Sequence, residues 1–65
     1  MTDSEKRFIN ELGNEINVQI SEQVIKCVPG IMICIIGPTS EITNHITRME
    51  AQIIYEQLRK VIFNE

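Results

Sequence analysis

The chain has 65 residues, a formal net charge of −3 at pH 7 and 43% hydrophobic residues. This length allows a single domain over residues 1–65 and excludes a dinucleotide-binding domain, a barrel or a kinase lobe. The acidic balance argues against a protein held on nucleic acid mainly by bulk charge, and the hydrophobic fraction is too high for a disordered chain.

The N-terminal part of the chain predicts one long amphipathic helix over residues 2–28. Thr2 and Glu5 have the spacing of a capping box, in which each residue satisfies a backbone N–H of the other. Pro29 ends the pattern, because the residue before a proline avoids the helical region. The apolar positions that fall on one side of this helix are Phe8, Ile9, Leu12, Ile16, Ile20, Val24 and Cys27.

A second interpretation of this segment stays open. Gly13 and Asn14 are a natural helix C-cap pair, and apolar and polar residues alternate over residues 15–20 as they do in a strand. The apolar stripe nevertheless continues through Gly13 without a change of phase. We therefore favour the continuous helix.

The middle of the chain predicts a β-hairpin over residues 31–46. Residues 31–36 are an uninterrupted apolar run that is too short for a helix and rich in β-branched side chains, which favours a strand covered on both faces. Turn residues follow at 37–40. Residues 41–46 then alternate polar and apolar side chains, as a half-exposed return strand does.

A second capping box predicts the start of a C-terminal helix. Thr47 lies three residues before Glu50, and Arg59 and Lys60 lie near the predicted C-terminus, where positive charge suits the helix dipole. The apolar stripe of this helix consists of Ile53, Ile54, Leu58, Val61 and Ile62.

The predicted fold is thus a small α+β domain of the order α-β-β-α: a long N-terminal helix, a β-hairpin and a C-terminal helix. A lone hairpin is marginal in water, and two helices cover only one of its faces. The side chains of Met32, Cys34 and Ile36 would remain uncovered, so we expect them to form the interface of a homodimer. A monomer with an additional strand over residues 15–20 is the alternative.

Few residues suggest catalysis or metal binding. His45 is the only histidine, and a Cys–His pair with Cys34 would place a reactive thiolate in an apolar strand, where it is disfavoured. Cys27 and Cys34 match neither zinc nor redox spacing and are interpreted as buried free thiols, with a disulfide or redox role left open. We expect no catalytic residue, metal or cofactor.

The predicted first helix carries the most suggestive surface. Helical spacing puts an acidic ridge with two aliphatic side chains on its outer face, formed by Glu11, Glu15, Val18, Glu22 and Ile25. Like charges four residues apart slightly destabilise a helix, so a ridge of this kind favours docking of a basic partner. A plain solvated face is the alternative.

The first expectation is therefore a non-enzymatic protein-interaction module of the inhibitor, regulator or adaptor type, acting as an acidic homodimer that binds another protein. The alternative is a small dimeric nucleic-acid-binding regulator that uses the basic pairs Lys6-Arg7 and Arg59-Lys60. A small enzyme subunit using His45 and Cys34 is the third hypothesis. The charged N-terminal segment and the lack of a long apolar run predict a cytoplasmic protein without membrane contact.

Overall fold

The computed structural model describes residues 3–64 and contains four strands followed by one helix. The elements are β1 (Asp3–Ile9), β2 (Glu15–Ile25), β3 (Val28–Ile36), β4 (Glu41–Thr47) and α1 (Arg48–Phe63). The strands form one antiparallel sheet in the order β1-β2-β3-β4, so each strand pairs with its neighbour in sequence.

The predicted α-β-β-α order is wrong, because the segment 2–28 forms two strands and no helix. Its main apolar positions, from Phe8 to Val24, recur every four residues. Four is close to the period of a helix and is also a multiple of two, so the same residues lie on one face of a strand. The spacing of the apolar residues therefore did not distinguish a helix from a strand. The alternative strand over residues 15–20 is confirmed, as part of β2.

Local chemistry between residues 10 and 14 reverses the chain. Gly13 has a φ of 80°, a left-handed conformation that a residue without Cβ adopts readily. The Asn10 side-chain oxygen accepts hydrogen bonds from the backbone N–H groups of Leu12 and Asn14, both at 3.0 Å. Such side-chain-to-backbone bonds stabilise turns at the expense of a helix. Of the predicted first capping box, Glu5 lies in β1, and Thr2 lies outside the described residues.

The second half of the chain follows the prediction. The turn at 37–40 joins β3 to β4, with the Gly37 N–H donating to the Ser40 carbonyl at 2.8 Å. The capping box of α1 is present: the Thr47 N–H donates to Glu50 Oε1 at 2.9 Å, and the Glu50 N–H donates to Thr47 Oγ1 at 3.3 Å. The helix ends at Asn64, a left-handed C-cap whose N–H donates to the Lys60 carbonyl.

The sheet has two chemically different faces, because directly paired residues of antiparallel strands share a face. One row of directly paired residues crosses the sheet through Lys6, Val18, Ile35 and Ile42, and the neighbouring row crosses it through Glu5, Gln19, Cys34 and Thr43. The apolar face consists of Phe8, Ile16, Val18, Ile20, Val24, Ile31, Ile33, Ile35, Ile42 and Ile46, with a few polar residues among them. The polar face includes Glu5, Arg7, Glu15, Asn17, Gln19, Gln23, Met32, Cys34, Glu41, Thr43 and His45.

This single chain has almost no core. Among the described residues, Cys34 is the only buried hydrophobic side chain, at 5% exposure, and no residue of α1 is buried. Within the single chain, the apolar run at residues 31–36 is not covered on both faces, since Ile35 is 40% exposed. No helix within residues 3–64 is both long and apolar enough to cross a membrane.

Candidate functional site

The polar face begins with a hydrogen-bonded group at the β1–β2 pair. Glu5 Oε2 accepts from Gln19 Nε2 at 2.9 Å and from Asn17 Nδ2 at 3.4 Å. Gln19 lies directly opposite Glu5 in the ladder, and Asn17 lies diagonally. The two amides thereby hold an exposed carboxylate in a fixed position on this face.

A second group lies at the other side of the polar face. His45 Nδ1 and Gln23 Oε1 are 2.6 Å apart, and Gln23 Nε2 lies 3.5 Å from Met32 Sδ. A carboxamide oxygen can only accept, so His45 donates from Nδ1 and is bound as the Nδ1–H form. These contacts link β2 with β4 across β3 and hold the two polar side chains in place.

The structure does not assemble the Cys–His pair that the sequence suggested as one hypothesis. Cys34 Sγ lies 3.5 Å from Thr43 Oγ1 and 3.7 Å from Glu41 Oε1, whereas His45 is bonded to Gln23. Both cysteines are free, but only Cys34 is buried. The interpretation of Cys27 as a buried thiol is wrong, because it lies exposed in the β2–β3 turn.

Charge is distributed unequally between the two faces. Four carboxylates and one guanidinium lie at polar-face positions, namely those of Asp3, Glu5, Glu15, Glu41 and Arg7. Within residues 3–64, the charged residues outside these positions are four acidic and five basic. The polar-face positions therefore carry a formal charge of −3, whereas the other described residues are close to neutral in sum. An acidic surface of this kind attracts cationic partners.

An open hollow of about 400 Å³ lies at one end of the polar face, beside the β3–β4 turn. Arg7, Glu15, Asn17 and Gln19 contribute its polar lining, and Ile36 contributes apolar surface. Asn17 Oδ1 is buried and accepts no hydrogen bond from the described residues. The hollow thus combines a carboxylate, two amides and a cation next to an aliphatic wall.

The acidic ridge predicted from helical spacing is not assembled. Glu11 lies in the β1–β2 turn, Val18 and Glu22 lie on the apolar face, and Glu15 and Ile25 lie at polar-face positions. Successive side chains of a strand alternate between faces, which separates residues that a helix would group. Sequence reasoning missed Glu5, Asn17 and Gln19, although alternation over residues 15–20 was a signal for the last two.

The three residues predicted as a dimer interface do share one face, but it is the polar one. Cys34 is covered by its own chain, and Met32 and Ile36 are half-buried beside it. The larger uncovered apolar surface lies on the opposite side of the sheet, where Ile20 is 40% exposed.

The two basic pairs do not form one surface. Lys6 and Arg7 are consecutive in β1, so they lie on opposite faces of the sheet. Arg59 and Lys60 lie near the C-terminal end of α1, with the Arg59 guanidinium 6.0 Å from the centroid of the Tyr55 ring.

No group of three or more His, Cys, Asp or Glu side chains within residues 3–64 is arranged to hold a metal ion. Comparisons of this chain with known protein families, with curated proteins and with solved structures find no match. What the chain does is therefore argued from its own surfaces.

Proposed function

We propose that this chain is a non-enzymatic protein-interaction module that acts as a homodimer and binds a basic segment of another protein on the polar face of its sheet. The observation that carries this proposal is the excess of carboxylates on that face, where four acidic residues and one arginine give a formal charge of −3. Complementary charge steers a partner to the correct surface and raises the rate of association more than the final affinity.

The hydrogen-bonding groups of the polar face suit an extended cationic segment. Glu5 is held at a fixed position by Gln19 and Asn17, which reduces the conformational entropy lost when a lysine or arginine binds it. The hollow beside Glu15 has room for one long side chain, whose methylene stem would lie against Ile36. Arg7 can donate to a main-chain carbonyl of the bound segment.

The alternative of a nucleic-acid-binding regulator is less favoured. Its basic residues are divided between two faces of β1 and the far end of α1. A protein that binds the phosphate backbone needs cations grouped on one surface, whereas the grouped charges here are acidic.

A pair of charge-matched variants tests the proposal. Glu5→Gln with Glu15→Gln removes two negative charges from the polar face, and Glu11→Gln with Glu56→Gln removes two from exposed positions outside it. Fluorescence anisotropy with a labelled lysine-rich peptide should show weaker binding to the first variant and nearly unchanged binding to the second. The affinity of the unmodified protein should fall as salt rises. Equal losses in the two variants would show that bulk charge, and not this face, attracts the peptide.

The natural partner is sought by affinity capture of the same three proteins from lysate, with and without nuclease. The proposal expects a nuclease-resistant protein that is retained by the control variant and lost by the polar-face variant. A set of captured molecules that disappears with nuclease would overturn the proposal in favour of the nucleic-acid alternative.

A further inference from the structure

The single chain exposes far more surface than a folded protein of its size. Compact monomers of 7.5 kDa expose about 4,200 Å² according to the scaling of surface with mass. This chain exposes 5541 Å². The excess is about 1,300 Å² per chain, or about 2,600 Å² for two chains, which lies within the range of permanent homodimer interfaces.

Most of the exposed large hydrophobic side chains lie at two places. One is the apolar face of the sheet, where Phe8 is 41% exposed. The other is the apolar stripe of α1, where Leu58 is 52% exposed and Ile53, Ile54 and Val61 flank an open groove of about 310 Å³. Each surface is of the kind that packs in a protein interior, and neither covers the other within one chain.

The apolar stripe of α1 does not pack on its own sheet, since no residue of the helix is buried. β4 ends at Thr47 and α1 begins at Arg48, so no linker residue lies between them. The capping box at Thr47 fixes the first turn of the helix, and Arg48 Nη1 lies 3.4 Å from Glu22 Oε1 of β2.

We infer that a second copy of this chain covers both surfaces, with α1 of each copy lying across the apolar face of the other copy's sheet. This inference rests on the homodimer in the proposed function and names the surfaces that form it. The arrangement is reciprocal, as a two-fold interface requires. It leaves the polar face of each sheet free for the basic partner. It uses the face of the sheet opposite to that of Met32, Cys34 and Ile36, the residues predicted from the sequence as the interface.

The helix is short enough to lie on the apolar face of the partner's sheet. The 16 residues of α1 span about 24 Å. The 11 residues of β2 span about 37 Å. One helix therefore fits within the length of the partner's apolar face, with Ile54 and Leu58 facing isoleucines such as Ile33. A helix with an apolar stripe packed on an apolar sheet face is the usual way in which both are buried.

Two variants of α1 that introduce the same charge test the interface. Leu58→Asp places a carboxylate in the apolar groove, whereas Gln52→Asp places one on the opposite side of the helix. Sedimentation equilibrium should give a dimer for the unmodified chain and for Gln52→Asp. For Leu58→Asp, the dimer dissociation constant should rise at least about 30-fold, the effect of losing one interface hot spot.

Cross-linking determines the arrangement even if the Leu58 variant does not fold. Ile54 is replaced by the photoreactive benzoylphenylalanine, and ¹⁴N- and ¹⁵N-labelled chains are mixed before illumination. Mass spectrometry should find links between one chain and apolar-face residues of the other, in β2 or β3. Links to the partner's α1, to the polar face or within one chain would overturn the arrangement.

The outcomes separate this inference from the proposed function. A monomeric wild-type chain would overturn both the arrangement and the proposed homodimer. A dimer with a different set of cross-links would overturn the arrangement alone. The peptide measurement on the polar face is independent of either result.

Discussion

The β2–β3 turn gives the most quantitative prediction about stability. Ile25 pairs with Val28, so Lys26 and Cys27 form a two-residue loop, and their φ angles are 48° and 64°. Two successive residues with positive φ are typical of a type I′ turn, for which Asn-Gly is the preferred sequence. Neither lysine nor cysteine is suited to this conformation.

We predict that Lys26→Asn with Cys27→Gly stabilises the folded protein. A left-handed residue with a Cβ atom is disfavoured by roughly 1–2 kcal/mol. Glycine at position 27 offsets about 0.5–1 kcal/mol of this gain, because it gives the unfolded chain more conformational freedom. With a contribution from asparagine at position 26, the net gain is about 1 kcal/mol. The thermal midpoint of a domain of this size should rise by about 4–8 °C per kcal/mol.

The matched control is Lys26→Ala with Cys27→Ala, which removes both side chains and keeps the Cβ atoms. Calorimetric unfolding at equal protein concentration should show no gain for the control, because its left-handed residues remain disfavoured. If the two double variants had equal midpoints, strain in this turn would not be the source of the effect. If Asn-Gly lowered the midpoint, the hairpin register around Ile25 and Val28 would be refuted.

Two further predictions concern Gly30 and Glu50. Gly30→Ala should destabilise the fold by about 1–3 kcal/mol through overpacking. Its Cβ would lie 2.8 Å from the Ile46 carbonyl oxygen, whereas Gly37→Ala meets nothing closer than 3.6 Å and should be nearly neutral in urea denaturation. Hydrogen bonds from the Thr47 backbone and then its side chain lower the pKa of Glu50 below its ordinary value of 4.5. Its stabilising contribution is therefore present above that pH and lost as the pH falls through the lowered pKa. The stability advantage over Glu50→Gln should be largest at pH 7 and should shrink progressively as the pH falls below 4.5, and a constant difference would contradict this.

The success of sequence reasoning in the second half of the chain has a local cause. The capping box at Thr47 and Glu50, and the turn at 37–40, depend on residues within four positions of one another. Their side chains select the structure through hydrogen bonds to the nearby backbone. Such short-range signals predict the local structure independently of how the rest of the chain folds.

The helix predicted over residues 2–28 was wrong because the apolar pattern there is compatible with two different structures. Apolar residues every four positions fit the side of a helix and the face of a strand equally well. The abundance of β-branched residues at Ile16, Val18 and Ile20 favoured the strand, and the left-handed Gly13 confirms the break. The predicted acidic ridge depended on the helix and was lost with it.

The sequence by itself determined a small acidic chain with a hairpin over residues 31–46 and a capped helix after Thr47, because short-range signals encode these features. Only the tertiary structure decided that residues 3–9 and 15–25 are strands, since that choice depends on pairing β2 with β3, as in Ile20 opposite Ile33. The same pairing separates side chains by face. It places four carboxylates and one guanidinium on one side of the sheet and leaves the other side apolar and uncovered.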